Sequence, residues 1–197
     1  MLSLCFFIQV VDSFFCIFRL IQTYMRFNFT TLRLLLSPLT LAHDSFIKEL
    51  VNTPGWLRFI GDRNVRSVED AQAYINRINS SRLFPYWVVE LKNEHKPIGI
   101  ITLVKRDYLD FPDLGFAFLP EYIGAGYAFE AASVVKDYLL KEGLVQQLLA
   151  TTIPDNVASI NLLTRMGFSY QQEIEINDAA LLVYEHSDKM NDKQNRT

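Results

Sequence analysis

Cysteine is nearly missing from this chain. Of 197 residues only Cys5 and Cys16 carry a thiol, and both lie in the first segment. The remainder can therefore hold no disulfide framework, no thiolate zinc site and no cysteine nucleophile. Histidine is scarce as well. His43, His95 and His186 are far apart in sequence, and no local carboxylate spacing completes a set of ligands around any of them, so no metal is expected. Basic runs are absent too. Lys plus Arg number 19 against 22 Asp plus Glu, the net charge is −3, and no Lys/Arg cluster occurs, so a nucleic-acid partner is not expected. The chain has no internal repeat and no low-complexity run.

A clean membrane-spanning run is also lacking. Residues 1–24 are rich in Phe, Leu, Ile and Val, but Gln9, Asp12, Arg19 and Gln22 interrupt them. A spanning helix wants about 20 mostly apolar residues, and an acid near its middle is costly. A secretory signal wants a positive start and a small-residue cleavage site, and neither is present. We expect residues 1–24 to lie outside the fold, with Met25 as the working initiator; a membrane-associated anchor is the alternative. Residues 25–186 are expected to form one domain, cytoplasmic and off the membrane, and residues 187–197 a loose polar tail.

Half of the residues are apolar, which suits a single domain with a sizeable core. Its most informative stretch is 113–141. Leu114, Phe116 and Phe118 alternate with Gly115 and Ala117, the pattern of a buried strand. Pro120 cannot donate to a ladder and should end it. Gly124 and Gly126 let the backbone turn tightly, and Ala128, Phe129, Ala131, Ala132, Val135 and Leu139 then follow at helical spacing. Strand, glycine turn and helix start form an arrangement that binds anions, because the first amides of a helix have no internal partner and the helix dipole favours negative charge there.

The flanking segments complete a pattern. A strand is expected over 32–37, ended by Pro38. A helix capped by Thr40 is expected over 41–51 and broken by Pro54-Gly55, and a second opens at Ser67-Val-Glu-Asp70. The apolar patch Trp56, Leu57, Phe59 and Ile60 reads as core or as the wall of an acceptor pocket. Strands over 86–91 and 97–105 read as a hairpin, followed by the central stretch. A strand over 147–152, a helix after Pro154-Asp155-Asn156 capped by Gly167, and a closing hairpin around Asn177-Asp178 finish the domain. Central and terminal hairpins with crossover helices between them imply an α/β fold, a mixed sheet covered by helices.

This order, with two motifs in place, resembles the GNAT superfamily of acyl-CoA-dependent N-acyltransferases over residues 31–184. It is most similar to the bacterial ribosomal-protein N-terminal acetyltransferases. Thr31-Leu-Arg-Leu-Leu-Leu-Ser-Pro-Leu-Thr40 looks like that group's entry strand. The family's pyrophosphate loop, Gln/Arg-x-x-Gly-x-Gly/Ala, is matched by Ile123-Gly124-Ala125-Gly126-Tyr127-Ala128, followed by the group's Glu130-Ala131, with Ile123 departing from the polar first position. The second motif, Asn-x-x-Ser/Ala closing with Gly-Phe, appears as Asn156-Val-Ala-Ser159 through Gly167-Phe168. Each motif alone is weak; the two together, in this order, are fairly specific.

The resemblance implies acetyl-CoA as cosubstrate, with its pyrophosphate on the amides of Gly124, Ala125, Gly126, Tyr127 and Ala128. It implies a pantetheine arm along the central strand, a backbone oxyanion donor at Phe118 or Leu119, and Asn156 bonding the arm. Asn156 also reads as a plain helix cap. Many relatives carry a thiolate-protonating Tyr where this chain has Leu163. Ser159 is the candidate acid here, beside its reading as an ordinary serine at a helix start. Asp113 is the candidate base, acting through water, with Glu121 second; a strand-end role is the alternative for Asp113. The expected function is acetyl transfer to a primary amine, a protein N-terminus or a small molecule, by direct attack on the thioester. The alternative is a binding module that holds acyl-CoA without turnover. A nucleotide P-loop is disfavoured, because no Gly-Lys-Ser/Thr follows the glycines. A monomer or homodimer is expected.

Overall fold

A computed structural model describes residues 27–80 and 85–187. The expectations for residues 1–24 and for the tail after residue 187 lie outside the described residues. The described strands form one eight-stranded mixed sheet in the order β1-β2-β3-β4-β5-β6-β8-β7. They are β1 (Phe29–Thr30), β2 (Leu34–Pro38), β3 (Tyr86–Leu91), β4 (Lys96–Val104), β5 (Asp113–Phe118), β6 (Gln147–Thr152), β7 (Ser169–Ile176) and β8 (Ala179–Ser187). The helices are α1 (Asp44–Val51), α2 (Pro54–Phe59), α3 (Val68–Ser80), α4 (Tyr127–Lys141) and α5 (Val157–Arg165).

Alternation along the strands divides the core between the two sheet faces. On one face Leu34, Trp87, Val89, Ile101, Leu103 and Leu114 pack against Ala131, Val135 and Leu139 of α4 and Leu163 of α5. On the other, Val88, Ile100 and Leu119 pack against Ile47 and Leu50 of α1 and Tyr74 and Ile75 of α3. A smaller cluster of Leu109, Leu149 and Val183 lies apart from these two.

The expected elements are present with two additions and one shifted strand, and the helix expected over 41–51 opens as a 3₁₀ turn (Leu41–His43) behind Thr40 and is α-helical from Asp44. Pro54-Gly55, read as a breaker, does follow the end of α1 at Val51, and it also opens α2. Proline at a helix start gives up an N–H that would have had no partner, and Thr53 caps the turn by accepting from the Trp56 N–H at 3.3 Å. Trp56 is buried in the core, with its indole N–H donated to Gly61 O at 3.1 Å. The second addition, β1, is too short to leave a periodic signal. It forces the shift: β2 starts at Leu34 because the chain turns at Leu32 and Arg33, closed by Thr31 N to Leu34 O at 2.9 Å. Ser67 and Asp70 form the reciprocal cap expected at the start of α3, with Asp70 N to Ser67 Oγ at 3.1 Å and Ser67 N to Asp70 Oδ2 at 2.9 Å. Asn177 and Asp178 both adopt positive φ, as a two-residue hairpin turn requires.

Gly99 in β4 is fixed by a contact. A Cβ there would lie 2.4 Å from the Phe118 ring, which crosses it from the neighbouring strand. We expect Gly99→Ala to lower stability by about 1–3 kcal/mol, the cost of overpacking a filled core, as read by chemical denaturation.

Candidate active site

The sheet opens between its two central strands. β5 and β6 run parallel, yet they register at a single pair, Asp113 with Leu149, where the Leu149 N–H donates to Pro112 O at 2.9 Å. In a continued parallel ladder the next donor on β6, the Thr151 N–H, would go to the Leu114 carbonyl. It goes instead to Asp113 Oδ1 at 3.1 Å. Past that point the strands part, and β5 presents backbone groups to the gap.

Which groups face the gap follows from the β4 side. Leu119 N donates to Ile98 O at 2.9 Å, and along an antiparallel pair successive residues point alternately to the two edges. Phe116 and Phe118 therefore aim their N–H and C=O groups into the gap, and Leu119 does not. This corrects the expectation for Leu119: its amide is committed to β4 and its side chain is buried. Of the two oxyanion candidates, Phe118 is the one with an amide left to offer.

β5 leads through a short 3₁₀ turn (Pro120–Tyr122) to the glycine loop. Gly124 and Gly126 have φ of 85° and 83°, in the left-handed region where a side chain is strained. No atom lies within 4 Å of where a Cβ on Gly124 would stand, so this side of the loop is open. Gly126 is the N-cap of α4 and takes the Glu130 N–H on its carbonyl at 3.1 Å, which leaves the amides of Tyr127, Ala128 and Phe129 at the helix mouth. Ile123 is 64% exposed. Counted back from Gly124, the motif's polar first position falls on Glu121, in the 3₁₀ turn, so the departure is an acid at that place.

Residues not anticipated from the sequence hold this loop. Arg33, at the turn into β2, bonds Glu130 Oε2 through Nε at 2.7 Å and Glu130 Oε1 through its backbone N–H at 2.9 Å. Its Nη1 donates to Ala125 O at 3.0 Å, and its guanidinium lies 4.3 Å over the Tyr127 ring. Thr31 Oγ1 adds a bond of 2.6 Å to Glu130 Oε1. Burial lifts the pKa of Glu130, but the Thr31 and Arg33 bonds outweigh it and hold the carboxyl below the ordinary glutamate value. The sequence clue was the coincidence of an Arg in the entry strand with a Glu after the loop; their separation of 97 residues hid the pairing. Tyr127 packs, under Arg33.

α5 supplies the second motif. Asn156 is the N-cap, with Oδ1 accepting from the Ser159 N–H at 3.1 Å, while its Nδ2 donates to no described residue. The Ser159 hydroxyl makes no hydrogen bond among the described residues. Leu163 is buried in the core. Asp113 stands differently from a free base. It is 4% exposed, Oδ2 accepts from Arg106 Nε and Thr151 Oγ1 at 3.0 Å each, and Oδ1 holds the Thr151 amide. Burial pushes its pKa up, and the Arg106 and Thr151 contacts pull it back without cancelling the rise. Among the described residues no group of three or more His, Cys, Asp or Glu side chains is placed to hold a metal ion. No described helix is long and apolar enough to cross a membrane.

Residues 33–169 match the family model for an acetyltransferase (GNAT) domain. The chain is 28% identical over 140 residues to the uncharacterized N-acetyltransferase YnaD of Bacillus subtilis, covering 71% of this chain and 81% of that one. Its fold superposes on the ribosomal-protein-S5-alanine acetyltransferase of Vibrio fischeri with a TM-score of 0.68 at 21% identity, covering 83% of this chain and 98% of that one. It superposes on the microcin C7 self-immunity acetyltransferase MccE, solved with acetyl-CoA and AMP, with a TM-score of 0.70 at 16% identity, covering 80% and 94%.

Proposed function

The chain belongs to the GNAT acetyltransferase family, and from that premise we propose that it moves an acetyl group from acetyl-CoA to a primary amine, a protein N-terminus or a small molecule, in the cytoplasm. One observation carries the reading: the gap beside β5 has the glycine loop following its C-terminal end and the start of α5 following β6, so the expected binding elements border one opening. The pyrophosphate sits on the amides from Gly124 to Ala128, where positive helix-end charge and free donors coincide. The pantetheine amides lie along the edge that Phe116 and Phe118 leave unpaired, as an added strand would. Asn156 Nδ2 donates to a carbonyl of the arm while Oδ1 keeps the cap, so both readings of that residue hold together.

In the reaction a neutral amine attacks the thioester carbonyl carbon. The C–N bond forms, the carbonyl electrons move to oxygen, and the Phe118 N–H stabilises that oxyanion. Collapse breaks the C–S bond, the amine's extra proton leaves to solvent, and the departing thiolate takes a proton from the Ser159 hydroxyl, which is replenished from water. The products are the acetylated amine and coenzyme A. Ser159 suits the acid's part because its hydroxyl is unengaged among the described residues and stands one turn into the helix that borders the gap.

Purified protein offered acetyl-CoA with amines and amino-terminal peptides should release free thiol. We expect Ser159→Ala to lower kcat by about a hundred-fold or more, in the range of a lost proton donor, with the KM for acetyl-CoA unchanged. Tight binding of acetyl-CoA by calorimetry, with no thiol release from any amine in a broad panel, would replace this reading with that of a binding module.

A further inference from the structure

We propose that Asp113 is a positioning residue, the wedge that parts β5 from β6 and so creates the slot the cosubstrate enters. Three observations converge on its carboxylate. The parallel ladder stops at Asp113 itself. The backbone donor that would have carried it one step further, Thr151 N–H, is captured by Oδ1. Oδ2 is pinned by Thr151 Oγ1 from the same β6 residue and by Arg106 from the connection between β4 and β5. One side chain thus supplies the hydrogen bond that the sheet gives up by opening, which removes the drive for the strands to zip together. A buried amide left without any partner would otherwise pull them closed.

This role differs from that of a base. A base acting through water needs a lone pair open to the cleft, whereas Asp113 is 4% exposed and both its oxygens bind the protein's own donors. The inference rests on the acetyl-CoA reading only for what fills the slot; the parting of the strands is a statement about the protein alone.

Two substitutions separate the roles. Asp113→Asn keeps an Oδ1 for the Thr151 N–H and removes the charge. Its Nδ2 cannot accept from Arg106 as Oδ2 does, so we expect kcat to fall, by about ten-fold or less, with the rising limb of the pH profile in place. Asp113→Ala removes the wedge. We expect its acetyl-CoA Kd, measured by calorimetry without any acceptor, to rise about ten-fold or more. We also expect a through-hydrogen-bond NMR coupling from the Thr151 amide to the Leu114 carbonyl that wild type lacks. Loss of kcat in Asp113→Asn by a hundred-fold or more with the limb abolished would restore the base and overturn the wedge. A folded Asp113→Ala that binds as wild type and shows no new coupling would also overturn it. If Asp113→Ala does not fold, the Asp113→Asn kinetics decide alone. Failure of wild type to bind acetyl-CoA would instead count against the proposed cosubstrate, and the coupling measurement would still judge the wedge.

Discussion

Gly126→Glu is expected to weaken acetyl-CoA binding by about a hundred-fold or more, or roughly 3 kcal/mol. Two effects act together. Gly126 has φ of 83°, and a residue with a Cβ in that conformation is strained by about 1–2 kcal/mol. The new carboxylate would also stand at the helix mouth, where Tyr127, Ala128 and Phe129 offer their amides, and would compete with the phosphates for the same donors. Arg33 compounds the loss. Its Nη2 lies 3.5 Å from where the new Cβ would stand, so the carboxylate can capture the nearest cation. Gly126→Ala isolates the strain and should weaken binding by about ten-fold or less. Calorimetry on both variants, with circular dichroism to confirm folding, reads the difference. Glutamate binding as well as wild type would move the cosubstrate away from this loop.

The sequence revealed local features and hid those that depend on strand pairing. The left-handed glycines, the start of α4, the cap at Asn156 and the closing turn at Asn177-Asp178 each depend on a few neighbouring residues, and each could be read directly. Leu119 could not. Whether a strand residue's amide faces the cleft or the neighbouring strand depends on register with β4, which no window of sequence around β5 contains. Asp113 is similar: its partners Arg106 and Thr151 lie 7 and 38 residues away, so a carboxylate at a strand head looked free until both oxygens were accounted for. Pro54-Gly55 was legible only in part: α1 ends before it as expected, but the new helix it opens was hidden. The local signal was real but double-valued, since proline both breaks a helix and starts one, and Thr53 with its cap bond decided the outcome.

Arg33→Ala should weaken acetyl-CoA binding by about ten- to a hundred-fold, the scale of a charged hydrogen bond lost from a binding site. Stability should move far less. The Arg33 side chain is 40% exposed, and a solvent-screened pair of this kind contributes about 1 kcal/mol or less, or about 2–4 °C in melting temperature for a chain of this size. Binding is more sensitive because Arg33 does two things at the loop. It holds the Ala125 carbonyl at 3.0 Å, and it places a cation beside the amides at the helix mouth. Arg33→Lys keeps the charge but loses the fork that reaches Glu130 and Ala125 together, and it should fall between Ala and wild type. Glu130 sets the pH range of this clamp. Its carboxyl is held below the ordinary glutamate value, so the stabilisation it brings is present above about pH 4.3 and is lost only as pH falls through the lowered value. The Arg33→Ala effect on Kd should therefore be the same at pH 6 and pH 8 and should shrink with added salt, as a charge acting on phosphates does and a packing defect does not. A melting temperature that collapses in step with affinity would make Arg33 a structural tie. Affinity that falls with the fold intact would identify it as the cation of the pyrophosphate site, supplied by the entry strand rather than by the loop motif.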